Sequence, residues 1–173
     1  MPARRSVLLG ALAMLASRAQ AEVAESRWIE INNINTREVL RVTFQNASGL
    51  VPEAIARLQH LLRDYRTDEE HEMDTRLYVL LSNLARAAGR EPRYDLISGY
   101  RSPRTNADLR AKGHAVAEHS MHMEGRAMDV RLQDYDLAAF RDLALAAKRG
   151  GVGFYPRSKF VHVDTGRVRT WSE

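Results

Sequence analysis

Two short segments in the last third of the chain alternate so strictly that each reads as a strand with one aliphatic and one polar face. In Ala127-Met128-Asp129-Val130-Arg131-Leu132, Met128, Val130 and Leu132 share one side of an extended chain and Asp129 points to the other. In Phe160-Val161-His162-Val163-Asp164, Val161 and Val163 point one way while His162 and Asp164 share the opposite face. Side by side, such strands bury their aliphatics in a core and bring Asp129 and His162 together. His122 reaches in from the loop before the first strand, and Gly125 gives the chain room to fold back between His122 and Asp129. Two imidazoles and one carboxylate are a ligand set that leaves zinc an open fourth position for water, as catalytic sites do.

The elements around these strands predict one α+β domain: helices packed on a small, mainly antiparallel sheet. Trp28–Ile31 and Val39–Phe44 read as an opening strand pair. Pro52 opens a helix with Ile55, Leu58, Leu61, Leu62 and Tyr65 at helical spacing. A second helix is expected from a cap at Asp74, burying Leu77, Leu80, Leu81 and Leu84 and ending near Gly89. Tyr94–Ile97 reads as a strand running into the Ser98–Pro103 turn. A third major helix is expected over about 136–148, with Leu137, Phe140 and Ala144 inward. Strands around Val152–Tyr155, Phe160–Asp164 and Val168–Trp171 close the chain. Helices before clustered strands argue α+β rather than a wound parallel sheet.

Residues 1–21 read as an export signal. Arg4-Arg5 precede an apolar run from Val7 to Ala16, too short to span a bilayer, and Ala19-Gln20-Ala21 offers a small-x-small cleavage site. The paired arginines before Ser6-Val7-Leu8-Leu9 resemble a twin-arginine signal, with the Sec route as the alternative. The mature protein, residues 22–173, is then expected in the periplasm, as a monomer with no membrane span. Losing Arg4, Arg5 and Arg18 takes the 26 basic residues to 23 against 22 acidic ones, a net charge of +1. With no basic stripe, nucleic acid is not an expected partner. The chain has no cysteine, so disulfides, thiol catalysis and a lipid anchor on cysteine are excluded. His71-Glu72 begins like a His-Glu-x-x-His helix, but Thr75 stands where the second histidine belongs.

Taken singly, a histidine on a strand is more often a hydrogen-bonded structural residue than a ligand. The combination is more specific. Ser98-Gly99-Tyr100-Arg101-Ser102-Pro103, Asn106, Leu109, Ser120-x-His122-x-x-Gly125-x-Ala127-x-Asp129, Gly150-Gly151-Val152-Gly153 and Phe160-Val-His162-Val-Asp164 resemble the zinc D-alanyl-D-alanine metallopeptidases. That family cuts peptidoglycan peptides and shares its metal-site architecture with lysostaphin-like enzymes and the hedgehog domain. More closely, the chain resembles the exported murein endopeptidase subgroup, whose members carry a twin-arginine-like signal and end in a similar Gly-Arg-x-Arg-x-Trp, here Gly166 to Trp171. The resemblance spans essentially the whole mature chain.

It implies one zinc ion per chain on His122, Asp129 and His162, and Arg101 as the arginine that holds substrate or the developing oxyanion. Ser120 matches a substrate-contacting position and is equally a local cap for its turn. The chain departs from the better-known members at the general base. Where they carry Glu or His, two or three residues before the last ligand, it has Phe160 and Lys159. Asp164, on the same strand face as His162, is the substitute base, or the partner that holds that imidazole; Glu118, His119 and Glu124 are further candidates. The implied activity is zinc-dependent hydrolysis of amide bonds in peptidoglycan cross-links. The alternative is a non-catalytic, zinc-stabilised module that binds cell-wall peptides.

Overall fold

The expected opening hairpin forms because the two alternating segments face each other in register. Strand β1 (Arg27–Asn33) runs antiparallel to β2 (Glu38–Asn46), with Ile29 opposite Val42 and Ile31 opposite Leu40. These four residues and Phe44 are buried on one face. The computed structural model describes residues 26–113 and 116–173; the export segment expected over 1–21 lies outside them.

After the two-residue edge strand β3 (Gly49–Leu50), helix α1 (Pro52–Leu61) starts on its proline, whose fixed φ and missing N–H suit a first turn. Helix α2 (Arg76–Ala87) follows, then β4 (Arg93–Ser98), α3 (Pro103–Ala111), β5 (Ala127–Leu132), α4 (Leu137–Ala147), β6 (Gly151–Tyr155), β7 (Phe160–Asp164) and β8 (Arg169–Ser172). All eight strands form one mixed sheet in the order β3-β2-β1-β4-β5-β7-β6-β8. Five neighbouring pairs are antiparallel, and β1–β4 and β6–β8 are parallel. The buried side chains of α1, α2 and α4, among them Leu58, Leu77, Leu81 and Phe140, join Ile31, Tyr94, Met128, Val130, Val161 and Val163 in one core. The other face of the sheet is left to polar side chains, and the candidate site sits there.

Several details differ from the sequence expectation. Helix α1 stops at Leu61, and Tyr65 lies beyond it at the surface. Helix α2 begins two residues after Asp74, although an Asp74 carboxylate oxygen still accepts the Arg76 N–H at 3.0 Å. Helix α3, expected only as a turn, is capped by Ser102, whose Oγ accepts the Thr105 N–H at 3.2 Å, and has Pro103 at its first position. Helices and strands interleave rather than separating into an early and a late group.

Candidate metal centre

The centre of the sheet is where the two polar strand faces meet. Strands β5 and β7 pair antiparallel with Asp129 directly opposite His162, and the aliphatic neighbours Met128, Val130, Val161 and Val163 fix that register by burying on the other side. His122 enters from the turn before β5. That turn closes at Gly125, which has φ of 65° and lies so near the Glu72 carbonyl that a Cβ would sit 2.1 Å from its oxygen. His122, Asp129 and His162 are all buried. One Asp129 oxygen, Oδ1, lies 3.2 Å from His122 Nε2 and 2.9 Å from His162 Nδ1, and the two nitrogens are 3.1 Å apart.

The far nitrogen of each ring decides which proton it carries. His122 Nδ1 lies 2.7 Å from the Gly99 carbonyl oxygen, which can only accept, so the N–H is on Nδ1 and the Nε2 lone pair faces the cluster. His162 Nε2 lies 3.0 Å from Asp164 Oδ2. Asp164 is itself a buried carboxylate. Its Oδ1 accepts the N–H groups of Gly151 and Gly166, both at 2.8 Å, and Arg169 NH2 donates to Oδ2 at 2.7 Å. Burial opposes its charge, but these bonds and the one from His162 hold its pKa well below the usual carboxylate range. As a carboxylate it accepts a hydrogen bond from the Nε2–H of His162, which leaves Nδ1 as the ring nitrogen that can ligate. Two ring lone pairs and one carboxylate oxygen therefore converge on one point. Their separations of 2.9–3.2 Å are a few tenths of an ångström short of the roughly 3.4 Å edge of a tetrahedron with metal–ligand bonds of about 2.1 Å. This donor set fits a divalent metal with mixed nitrogen and oxygen preference.

The two rings differ in charge preference. Burial lowers the pKa of His122 and keeps that ring neutral. For His162, burial acts in the same direction but is outweighed by hydrogen bonds to Asp129 and Asp164, which raise it, so a metal binding there displaces a proton from Nδ1. Burial opposes ionisation of Asp129, yet the two histidines hold its pKa far below the ordinary value. Arg101, also buried, has NH2 at 3.7 Å from the second Asp129 oxygen, Oδ2, while burial pulls its own pKa down. The Arg101 Nε is buried without a partner among the described residues.

These groups line a cleft of about 470 Å³ with His119, Ser120, Tyr155, Trp171 and Glu173. A larger hollow between α2 and α4, lined by Val79, Leu80, Leu84 and Leu143, has no such cluster of ligating groups. A model of the family described as "Peptidoglycan L,D-endopeptidase MepK" matches residues 21–171. The chain belongs to this family. Among curated proteins, the peptidoglycan L,D-endopeptidase MepK of Escherichia coli strain K12 is 41% identical over 167 residues, covering 95% of this chain and 91% of that one. The protein of that name from Shigella flexneri matches to the same extent. The probable peptidoglycan L,D-endopeptidase MepK of Haemophilus influenzae is 40% identical over 154 residues, covering 88% of this chain and 83% of the relative. No solved structure gave a significant match.

Within this MepK-family site, the residues singled out from the sequence separate into two groups. His122, Asp129, His162, Arg101 and Ser120 meet in the cleft. Ser120 Oγ also accepts the His122 N–H at 3.3 Å, a local cap on the ligand turn. Asp164 lies behind His162, with its oxygens turned to that ring, Arg169 and the backbone. Of the loop carboxylates, Glu118 is exposed beside Arg110, and Glu124 is exposed and bonded to Arg126. Phe160 stacks on Tyr155 instead of supplying a proton acceptor. His71 and Glu72 lie in irregular chain, not on a helix.

Three contributors carried no assigned role in the sequence reading, although they stood in its motifs. Asn106 bridges Arg101 NH1 at 3.5 Å and the Ala117 carbonyl at 3.0 Å, tying α3 to the loop that carries His122. Gly153 lies opposite both His162 and Trp171, and a Cβ there would come within 2.6 Å of the indole, which packs 5.1 Å from the His162 ring. Arg169 clamps Asp164. The glycine-rich run and the terminal Arg-x-Trp were the visible signals for the last two.

Proposed function

We propose that the protein is a zinc-dependent peptidoglycan endopeptidase that hydrolyses amide bonds in cell-wall peptide cross-links. The observation that carries this reading is the convergence of two oriented imidazole lone pairs and one Asp129 oxygen on a single point in an open cleft. The names of its relatives give the substrate class, and the L,D specificity in those names is the bond we assign to it. The residue types favour zinc, with one ion per chain on His122, Asp129 and His162. An ion there would supply a positive charge that polarises the scissile carbonyl and acidifies a water.

The chain's own groups do the rest. Gly99 and Asp164 hold the two rings so that their lone pairs stay convergent. Arg101, with a permanently charged guanidinium and a free buried Nε, stabilises the carbonyl oxygen as it gains charge. Ser120 orients the ligand turn and faces substrate. We assign Asp164 to orientation rather than to proton abstraction, because it sits on the far side of the His162 ring and its oxygens are already engaged. His119 is the proton acceptor we favour, because it lines the cleft while Glu118 and Glu124 pair with surface arginines.

The wider likeness to hedgehog-type domains, the monomeric state and export to the periplasm through residues 1–21 belong to the same proposal. No helix of the described residues is long and apolar enough to cross a membrane.

The test is digestion of defined cross-linked muropeptides by the metal-loaded protein, read by mass spectrometry, with His162→Ala as control. Cleavage by the native protein alone supports the peptidase, and the product masses name the bond. Intact substrate in the presence of bound zinc would favour the binding module.

A further inference from the structure

We propose that the Tyr155 hydroxyl is a second hydrogen-bond donor to the scissile carbonyl oxygen, acting beside Arg101. This rests on the peptidase reading above. Tyr155 ends β6 on the same face as Gly153, which lies opposite His162, and its side chain lines the cleft with Arg101 and the metal cluster. Its ring is fixed from below by Phe160, with centroids 4.4 Å apart and planes 19° from parallel. Its oxygen is fixed from the side by Trp171, whose Nε1–H donates to it at 2.8 Å.

An indole nitrogen can only donate, so this bond occupies the acceptor side of the hydroxyl and leaves its proton unused. Among the described residues nothing accepts that proton. Tyr155 and Arg101 line the same cleft. A phenol held by a stack and by a donated hydrogen bond, with its own O–H unspent in a cleft that a buried guanidinium also lines, is a preorganised donor for developing negative charge. Trp171, which also packs on the His162 ring, sets the hydroxyl and the ligand in one frame.

In the reaction the water oxygen bonds to the carbonyl carbon and the C–N electron pair leaves with the amine nitrogen, which takes a proton from that water. Tyr155 keeps its proton throughout and contributes only a hydrogen bond that strengthens as the carbonyl oxygen becomes anionic.

The experiment compares native protein with Tyr155→Phe on the same muropeptide, after both are shown to have equal metal content and equal Tm. Phenylalanine preserves the stack on Phe160, so a folded variant is expected. The expected result is a fall in kcat of about 10²-fold with KM little changed. A phosphinate analogue of the cross-link, tetrahedral and anionic at the reacting position, should lose affinity by a similar factor, while binding of the cleaved product stays constant. A structural role confined to bracing Trp171 would not single out the phosphinate. Undiminished kcat in Tyr155→Phe, or a loss of kcat with unchanged phosphinate affinity, overturns the tyrosine assignment alone. Failure of the metal-loaded native protein to cleave overturns the peptidase reading, and this proposal with it.

Discussion

Asp164 Oδ2 meets His162 at Nε2, 3.0 Å away, on the ring edge opposite the Nδ1 that faces Asp129 and His122. That places an anionic acceptor behind the ring rather than in the cleft. A carboxylate so placed selects the tautomer and strengthens the ring as a ligand, and removing it typically weakens metal binding by about 10- to 100-fold.

Asp164→Asn should therefore lose activity mainly through lost metal. At limiting zinc the variant should be nearly inactive. At saturating zinc its kcat should return to within a few-fold of native if, as proposed, His119 and not Asp164 accepts the proton. Turnover measured across a zinc titration checks this; a kcat that stays low at every zinc concentration would make Asp164 the base.

Gly153→Ala is expected to be disproportionate for one methyl group. The added Cβ would sit 2.6 Å from the Trp171 indole, which lies on the edge strand β8 and is held between Tyr155 and the His162 ring. Overpacking of this kind costs about 1–3 kcal/mol, and the displaced indole carries with it the contacts to Tyr155 and His162. Denaturant unfolding should show the stability loss, and muropeptide turnover should fall by more than that loss implies.

What could be read from the sequence was whatever a strict period-two pattern encodes. Met128, Val130, Val161 and Val163 announced two strands, and their alternation announced that Asp129 and His162 share the other face; the observed register puts those two residues directly opposite each other. Helix α3 escaped because its buried residues, Thr105 and Asn106, are polar, so no apolar stripe marked it; only the Ser102-Pro103 start signal was present. The side of the His162 ring that Asp164 would meet was not legible either. Two residues sharing a strand face says nothing about which ring nitrogen each neighbour reaches, and that depends on χ angles set by Gly151, Gly166 and Arg169.

Asp74 gives the fold a definite acid dependence. It accepts from the Arg76 side chain, from the Arg76 backbone and from Thr165 Oγ1, joining the start of α2 to the residue after β7. Burial raises its pKa, but these bonds outweigh it and bring the group from 3.8 down to about 2. A depressed folded-state pKa stabilises the protein above the unfolded value and loses that contribution as pH falls through the folded one. The contribution is at most about 2 kcal/mol, reduced by solvent screening of the exposed Arg76, present above about pH 4 and lost as the pH falls through about 2. Asp74→Asn should be less stable than native by that order at pH 7, and the two should converge in urea unfolding as the pH approaches 2.

Arg101→Lys tests whether the cleft needs a fork or only a charge. The guanidinium reaches Asp129 Oδ2 at 3.7 Å and Asn106 at 3.5 Å, and still keeps a buried Nε free. A lysine keeps the positive charge but presents it as a single flexible ammonium, which cannot hold both neighbours and also offer a fixed donor to substrate. It would also sit in a pocket where burial already lowers the arginine's pKa, and an ammonium yields its proton to desolvation more readily than a guanidinium does. The expected outcome is a fall in kcat of about 10²- to 10³-fold, in line with loss of one oxyanion donor, with zinc content unchanged because none of the three ligand atoms is altered. Steady-state kinetics with metal analysis of the same sample decides it. Near-native kcat in Arg101→Lys would reduce the role of this residue to charge balance for Asp129.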